Sequence, residues 1–286
     1  MTGVLITGGT GKTGSALARS LRASGVPIRV ASRSPSADAR DATRFDWSEP
    51  TTHAAALRGM DRVYLVPPVD TTDPMPLVEP FLAEAERLGV RRLVLLGSAI
   101  VLPGAPSALE LAAHVRARPG WAVLRPSGFM QNFLPPHPLG EQIRRQGEIR
   151  TAAGTGRVGW IDARDIAAAA AALLTGPDHR PDDARDHLLT GPEALSYGDA
   201  AQIISRRTGR PVRTVPVEAA EQAYTYRASG MPDAFATALA AVDAGIRTGR
   251  EDRVSSAVLD LTGRPPRTFA DFVQDHLARW TSSGTP

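Results

Sequence analysis

Val4-Leu5-Ile6-Thr7-Gly8-Gly9-Thr10-Gly11-Lys12-Thr13-Gly14 is the stretch on which the fold of this 286-residue chain turns. Its three leading apolar residues read as a short strand. Ser15 to Ala23, with Leu17 and Leu21 one helical turn apart, reads as a helix. Between them Gly8, Gly11 and Gly14 have the spacing G-x-x-G-x-x-G. In a strand–turn–helix setting each glycine has a physical task. The first permits a tight turn, the second lets backbone approach a pyrophosphate, and the third lets the helix pack close to the strand. The helix start then offers free N–H groups and a positive dipole end to an anion. The segment predicts a dinucleotide site built from Gly8, Thr10, Gly11, Lys12, Thr13 and Gly14. Gly11-Lys12-Thr13 imitates the end of a triphosphate-binding loop, but Ile6 stands where that loop requires glycine.

Working outward, Ile28 to Ala31 is a second strand that runs into Ser32-Arg33. A carboxylate here would accept from a ribose 2′-hydroxyl. A hydroxyl and a guanidinium instead suit a 2′-phosphate, so the expected cofactor is NADPH (NADP+). Asp46, at the end of a short third strand around Arg44-Phe45-Asp46, is placed either against the adenine amine or as a loop cap. Helical patterns at 52–58, 76–88 and 108–117 then alternate with strands at 62–66, 92–96 and 121–124. That rhythm predicts an α/β Rossmann fold with a doubly wound parallel sheet. After Arg125-Pro126 the rhythm changes, and Pro135, Pro136 and Pro138 are expected to break regular structure. Strands at 147–152, 187–190 and 212–217 and helices at 163–174, 196–206, 218–228 and 269–280 follow, with a polar loop from Pro177 to Asp186. The expected division is an NADP-binding core over 1–134 and a smaller, interwoven substrate-covering part over 135–286, partly returning to the sheet.

Composition narrows the chemistry. There is no cysteine, so disulfides, thiolate nucleophiles and Cys-ligated zinc are excluded. The histidines at 53, 114, 137, 179, 187 and 276 lack metal-ligand spacing, and no metal is expected. Basic residues number 33 against 30 acidic, and Lys12 is the only lysine. No block of five like charges and no recognisable module points to nucleic acid. No apolar run approaches the roughly 18 residues of a membrane span. Val4 already begins a strand, so no leader is expected and a cytoplasmic location is. No Gly-x-Ser-x-Gly elbow occurs. The expected partner is a small-molecule substrate.

Three later segments complete a recognisable set: Leu95-Leu96-Gly97-Ser98-Ala99, Leu124-Arg125-Pro126-Ser127-Gly128-Phe129-Met130-Gln131-Asn132-Phe133, and Trp160-Ile161-Asp162-Ala163-Arg164-Asp165-Ile166-Ala167. With the glycine turn, and with Leu189-Thr190-Gly191-Pro192-Glu193-Ala194-Leu195-Ser196-Tyr197, the chain resembles the NmrA-like branch of the atypical short-chain dehydrogenase/reductases. Within it, the look is closest to ergot-alkaloid-type reductases and their bacterial relatives. The resemblance implies a cofactor lying across the strand ends. It places Val66, Pro67 and Pro68 beside the ribose or nicotinamide, Gly97 and Ser98 under the nicotinamide, and Pro126 to Phe129 over it. Gln131 and Asn132 would face the substrate cleft or brace the loop. Read as residues alone, Pro67-Pro68 could end a strand, Ser98 could be a turn residue, Phe129 and Met130 could be core, and Asp162 and Asp165 could cap a helix.

One departure matters. Orthodox short-chain dehydrogenases use Tyr-x-x-x-Lys, in which the lysine lowers the pKa of a proton-donating tyrosine. Tyr64, Tyr197, Tyr224 and Tyr226 all lack a lysine four residues on. Ser98, Asn132 and His114, the last beside Glu110 and Arg116, remain as catalytic candidates. Two readings follow. A reductase could act on an imine, iminium or conjugated carbonyl of secondary metabolism without a Tyr–Lys pair, because an iminium carbon that accepts hydride becomes a neutral amine without protonation in that step. Alternatively, the fold could bind NADP(H) as a sensor without turnover.

Overall fold

Residues 3–36, 39–68, 71–103, 106–177 and 185–281 are described by a computed structural model of the chain. Its centre is a seven-stranded sheet. The strands are β1 (Val4–Ile6), β2 (Ile28–Ser32), β3 (Ala42–Arg44), β4 (Arg62–Leu65), β5 (Arg92–Leu96), β6 (Trp121–Pro126) and, far along the chain, β9 (Asp186–Leu189). They lie in the order β3-β2-β1-β4-β5-β6-β9, and every pairing is parallel. The order reverses between β1 and β4, which is where an open parallel sheet leaves a crevice at its carboxyl ends.

Alternation along each strand sends successive side chains to opposite faces. Val4 and Ile6 of β1, Tyr64 of β4, Val94 of β5, and Ala122 and Leu124 of β6 share one core. Helices α1 (Lys12–Ala23) and α6 (Ala163–Thr175) cover it. Leu5, Val63, Leu65, Leu93, Leu95, Trp121 and Val123 face the other way. There α2 (Thr51–Leu57), α3 (Met75–Arg87) and α4 (Pro106–Arg116) cover them. Helix α6 presents Ala163, Ala167, Ala169 and Ala170, all buried, so α1 can approach closely. Both β9 and α6 come from the later half of the chain yet belong to the sheet and its cover.

The rest of that half builds a third core. Phe133, Trp160, Tyr197, Phe269, Phe272 and Trp280 stack with edge-on and tilted rings. Two short pairings frame it: β7 (Glu148–Thr151) with β11 (Arg213–Pro216), and β8 (Arg157–Val158) with β10 (Leu195–Ser196). Helix α7 (Tyr197–Thr208) opens on a capping box made by Ser196 and Asp199.

Several boundaries differ from the sequence reading. Strand β3 ends at Arg44, so Asp46 sits in the following turn. Pro138 does not break structure but opens α5 (Pro138–Gln146), where its missing N–H costs nothing. The helix expected over 269–280 is divided into α11 (Phe269–Asp275) and α12 (Ala278–Thr281). A fifteen-residue helix, α9 (Asp233–Arg247), packs beside α8 (Ala219–Ala228) and was not foreseen. Most of the expected loop from Pro177 lies outside the described residues, while Asp186 already belongs to β9.

Trp280 is 1 % exposed, and its indole Nε1 donates to the Phe133 carbonyl at 2.8 Å. Trp280→Ala is expected to destabilise the chain by about 3–5 kcal/mol. Trp280→Phe, which keeps a ring, should cost less than half of that, as read by urea unfolding.

Candidate active site

The glycine turn is built by contacts that leave no room for side chains. Gly8 has φ +59°, a conformation that L side chains rarely adopt. A Cβ on Gly14 would lie 2.4 Å from the Gly8 carbonyl oxygen, so the start of α1 sits directly on the turn. Gly9, which the motif spacing passes over, is as constrained: its Cβ would meet Val30 Cγ1 at 2.3 Å. Helix α1 has Gly11 as its N-cap, with no side-chain cap and no acid in its first turn. Its first N–H groups and positive dipole end therefore meet no competing carboxylate, and the cradle fits a pyrophosphate. Thr7 Oγ1 receives the Val66 N–H at 2.7 Å and locks β1 to the end of β4.

Ser32 is the last residue of β2, and Arg33, exposed, follows it. Ser32 Oγ accepts from Ser34 N at 3.2 Å. Asp46 accepts from the backbone and hydroxyl of Ser48, at 2.9 and 2.7 Å, and those bonds hold its carboxyl below the usual range, with Arg33 and Arg44 adding attraction. It is a turn cap whose neighbour is Arg33.

A cavity of about 460 Å³ opens beside the strand ends. Val66, Pro67, Gly97, Ser98, Phe129 and Asn132 line it together, whereas the glycine turn, Ser32, Arg33 and Asp46 are not among its lining residues. Pro126 is buried at the end of β6, where its carbonyl accepts from Ala99; it is not among the lining residues. His114, on α4, is not among them either. Ser98 Oγ donates to the Ile100 carbonyl at 2.7 Å and accepts from its N–H at 3.1 Å, so the hydroxyl is committed to a turn. Gln131 braces the loop: Nε2 donates to Asp162 Oδ1 and Oε1 accepts from Ala163 N, both at 3.0 Å. Asp162 caps α6, accepting from Arg164 N at 2.8 Å. Asp165 instead accepts from Arg267 N at 2.8 Å and ion-pairs with its guanidinium.

Lys12 reaches out of the glycine turn, and its Nζ donates to Asn132 Oδ1 at 2.8 Å. It stands open to solvent at the residue level but within a crowded cleft, and that crowding lowers its pKa. His137 lies nearby and also lines the cavity. Its Nδ1 accepts from Leu139 N at 3.3 Å and caps α5. Burial first, and the Lys12 charge second, lower its pKa from 6.5 to about 4. Other cavity residues had no sequence signal beyond their type. Tyr197, Tyr226 and Asp243 share one wall, and burial raises the pKa of all three. A lone acid in the apolar stretch of α9 was a readable clue to Asp243, had the helix been recognised.

Among the described residues no group of His, Asp or Glu side chains is arranged to hold a metal ion, and no helix is long and apolar enough to cross a membrane.

A parallel sheet with this strand order, a side-chain-free turn at the start of α1 and a cavity at the strand ends define a dinucleotide-binding protein of the Rossmann type. Comparison with known proteins agrees. The NAD(P)H-binding family matches residues 8–177. The chain is 42% identical to the uncharacterized oxidoreductase YesF of Bacillus subtilis (strain 168), over 99% of this chain and 98% of that protein. It is 36% identical to agroclavine dehydrogenase of Claviceps fusiformis, over 97% and 98%. An NADPH-dependent quinone oxidoreductase from Escherichia coli, solved with NADPH, superposes with a TM-score of 0.81 at 23% identity, over 95% of this chain and 99% of that one. The chain belongs to the NAD(P)H-binding family and, like these relatives, is an oxidoreductase.

His137 yields a prediction. Above pH 6.5 the ring is neutral both folded and unfolded, and its contribution to stability is whole. Between pH 6.5 and 4 the unfolded chain takes up a proton that the folded chain refuses, so stability falls by roughly 3 kcal/mol. His137→Asn keeps a capping acceptor and should flatten that part of the pH–stability curve, measured by urea unfolding at half-unit steps.

Proposed function

We propose that the chain is an NADPH-dependent reductase of a small organic substrate bearing an imine, an iminium or a conjugated carbonyl. The observation that carries this reading is that Val66, Gly97 and Phe129 near the strand ends and the aromatic residues Trp160, Tyr197 and Tyr226 line one and the same cavity. A cleft so lined excludes water and holds a planar apolar substrate against the strand ends. When bound, the dihydronicotinamide supplies a hydride. Relatives named for dehydrogenating agroclavine and festuclavine, and one named as an NAD(P)H azoreductase, support a reducible nitrogen-containing substrate.

In this reading Gly8, Thr10, Gly11, Thr13 and Gly14 hold the pyrophosphate, and Ser32 and Arg33 hold the 2′-phosphate with Asp46 beside them. Val66, Pro67, Gly97, Ser98 and Phe129 line the nicotinamide end, and Pro126 supports them from behind. Lys12 adds charge at the turn and steadies Asn132 at the cavity edge. The Ser98 hydroxyl, held by Ile100, is a positioning group, and so is Asn132. His114 takes no part. No Tyr–Lys pair is needed, because the work of the protein is orientation and exclusion of water. Residues up to about 134 carry the cofactor; those beyond cover the substrate and lend β9 and α6 to the sheet.

Two measurements test this. Arg33→Ala should raise the NADPH dissociation constant about tenfold or more and leave NADH within about twofold, since one charge-assisted contact is lost. Equal losses for both cofactors would remove Arg33 from the 2′-phosphate. A panel of iminium, enone and quinone compounds should consume NADPH. Tight cofactor binding with no turnover across that panel would favour the sensor reading.

A further inference from the structure

The cavity contains one carboxylate among the described residues, Asp243 of α9. It is 4 % exposed. One oxygen is fully engaged: Oδ2 accepts from Thr151 Oγ1 at 2.8 Å and from Ala152 N at 2.9 Å, which ties α9 to the end of β7. The other oxygen, Oδ1, has no hydrogen-bond partner among the described residues and is not sealed from solvent, so it faces the open space that Asp243 lines. No basic side chain comes within ion-pair distance of Asp243 among the described residues; Arg247 attracts it only through space while donating to the Ala152 carbonyl at 2.7 Å. The two arginines that line the cavity, Arg116 and Arg125, are both committed to Asp186. Around Asp243 the wall is apolar or aromatic: Phe235, Leu239, Val242, Ile246 and the rings of Tyr197 and Tyr226. The Tyr197 hydroxyl likewise has no hydrogen-bond partner among the described residues. A buried carboxyl with a free oxygen is costly unless a positive charge meets it. Aromatic faces beside it favour a diffuse cation over a neutral guest.

We propose that Asp243 is the specificity-determining residue of this cavity, its free oxygen anchoring the positively charged nitrogen of the substrate between the rings of Tyr197 and Tyr226. This rests on the reductase reading of the cavity and selects within it: a cationic iminium or protonated imine is preferred over a neutral carbonyl compound. Asp243 touches the charge of the substrate and takes no proton from it. Its twin oxygens divide the labour, one for the fold and one for the guest.

The test is direct binding to the NADP+-loaded protein, which needs no hydride transfer. N-methyl-3,4-dihydroisoquinolinium serves as the cation and α-tetralone as a neutral molecule of similar shape, each titrated calorimetrically. The wild type should bind the cation about tenfold or more tightly than the ketone. Asp243→Asn keeps an acceptor for Thr151 and Ala152, and should abolish that preference while moving ketone affinity by less than about twofold. Thr151→Val trims only the structural side; it should lower the melting temperature and leave the cation preference in place. Equal affinity for the two probes in the wild type, failure of both to bind, or a preference that survives Asp243→Asn would each overturn the proposal. If Asp243→Asn does not fold, the wild-type ratio and its survival in Thr151→Val decide. Asp243-dependent cation binding in a protein that reduces nothing would sink the reductase reading and leave this one standing.

Discussion

Everything at the functional end of this molecule depends on how closely α1 is seated on the turn that precedes it. The distance available at Gly14, 2.4 Å from a would-be Cβ to the Gly8 oxygen, admits hydrogen and nothing else. Seated there, the helix aims its free N–H groups over the carboxyl ends of β1 and β4, the place where the strand order reverses. The same seating sets the height of α1 against the sheet. It brings Ala16, Leu17, Ala18 and Leu21 against the alanines of α6, a helix that enters from the second half of the chain. A side chain at position 14 would lift the helix and with it the cover that β9 and α6 complete.

The second half is fastened by polar ties around an aromatic core. Asp162, fully buried, is simultaneously cap of α6, partner of Gln131 and ion-pair partner of Arg164, which also reaches Asp275. Its burial works against the ionised form, and these bonds together outweigh that cost, so its pKa stays below the ordinary value. Asp165 holds the segment at Arg267. Removing one partner from such a buried pair leaves an uncompensated charge, so these ties resist partial opening. Through Gln131 they also fix the short 3-10 turn Met130–Phe133 next to which the cavity opens.

The sheet was legible because its strands are short apolar runs separated by helical periods, and alternation then dictates which side chains meet which layer. The glycine turn was legible because few other structures demand that spacing. Gly9 escaped notice since its constraint comes from Val30, a residue on another strand. Helix α9 was missed although Phe235, Leu239, Val242 and Ile246 recur along it at helical spacing. The proline cluster hid α5, since proline reads alike as a breaker and as a first-turn residue. The break in the last helix falls at His276, whose Nδ1 lies 2.8 Å from the Phe272 carbonyl and competes for the helical bond there. Pairings such as Lys12 with Asn132, 120 residues apart, or Thr151 with Asp243, 92 apart, belong to tertiary structure alone. No local pattern announces them.

The solitary lysine gives the molecule an unusual chemical address. With thirty-two other basic side chains all arginine, a reagent that seeks an ε-amino group finds one destination in the entire chain, at the mouth of the glycine turn. Crowding lowers the pKa of that amine, so a larger share of it is the nucleophilic free base at neutral pH than in an ordinary surface lysine. A dye or a tether installed through acylation therefore lands beside Asn132, and its reaction rate is a direct gauge of whether that small region is open or covered.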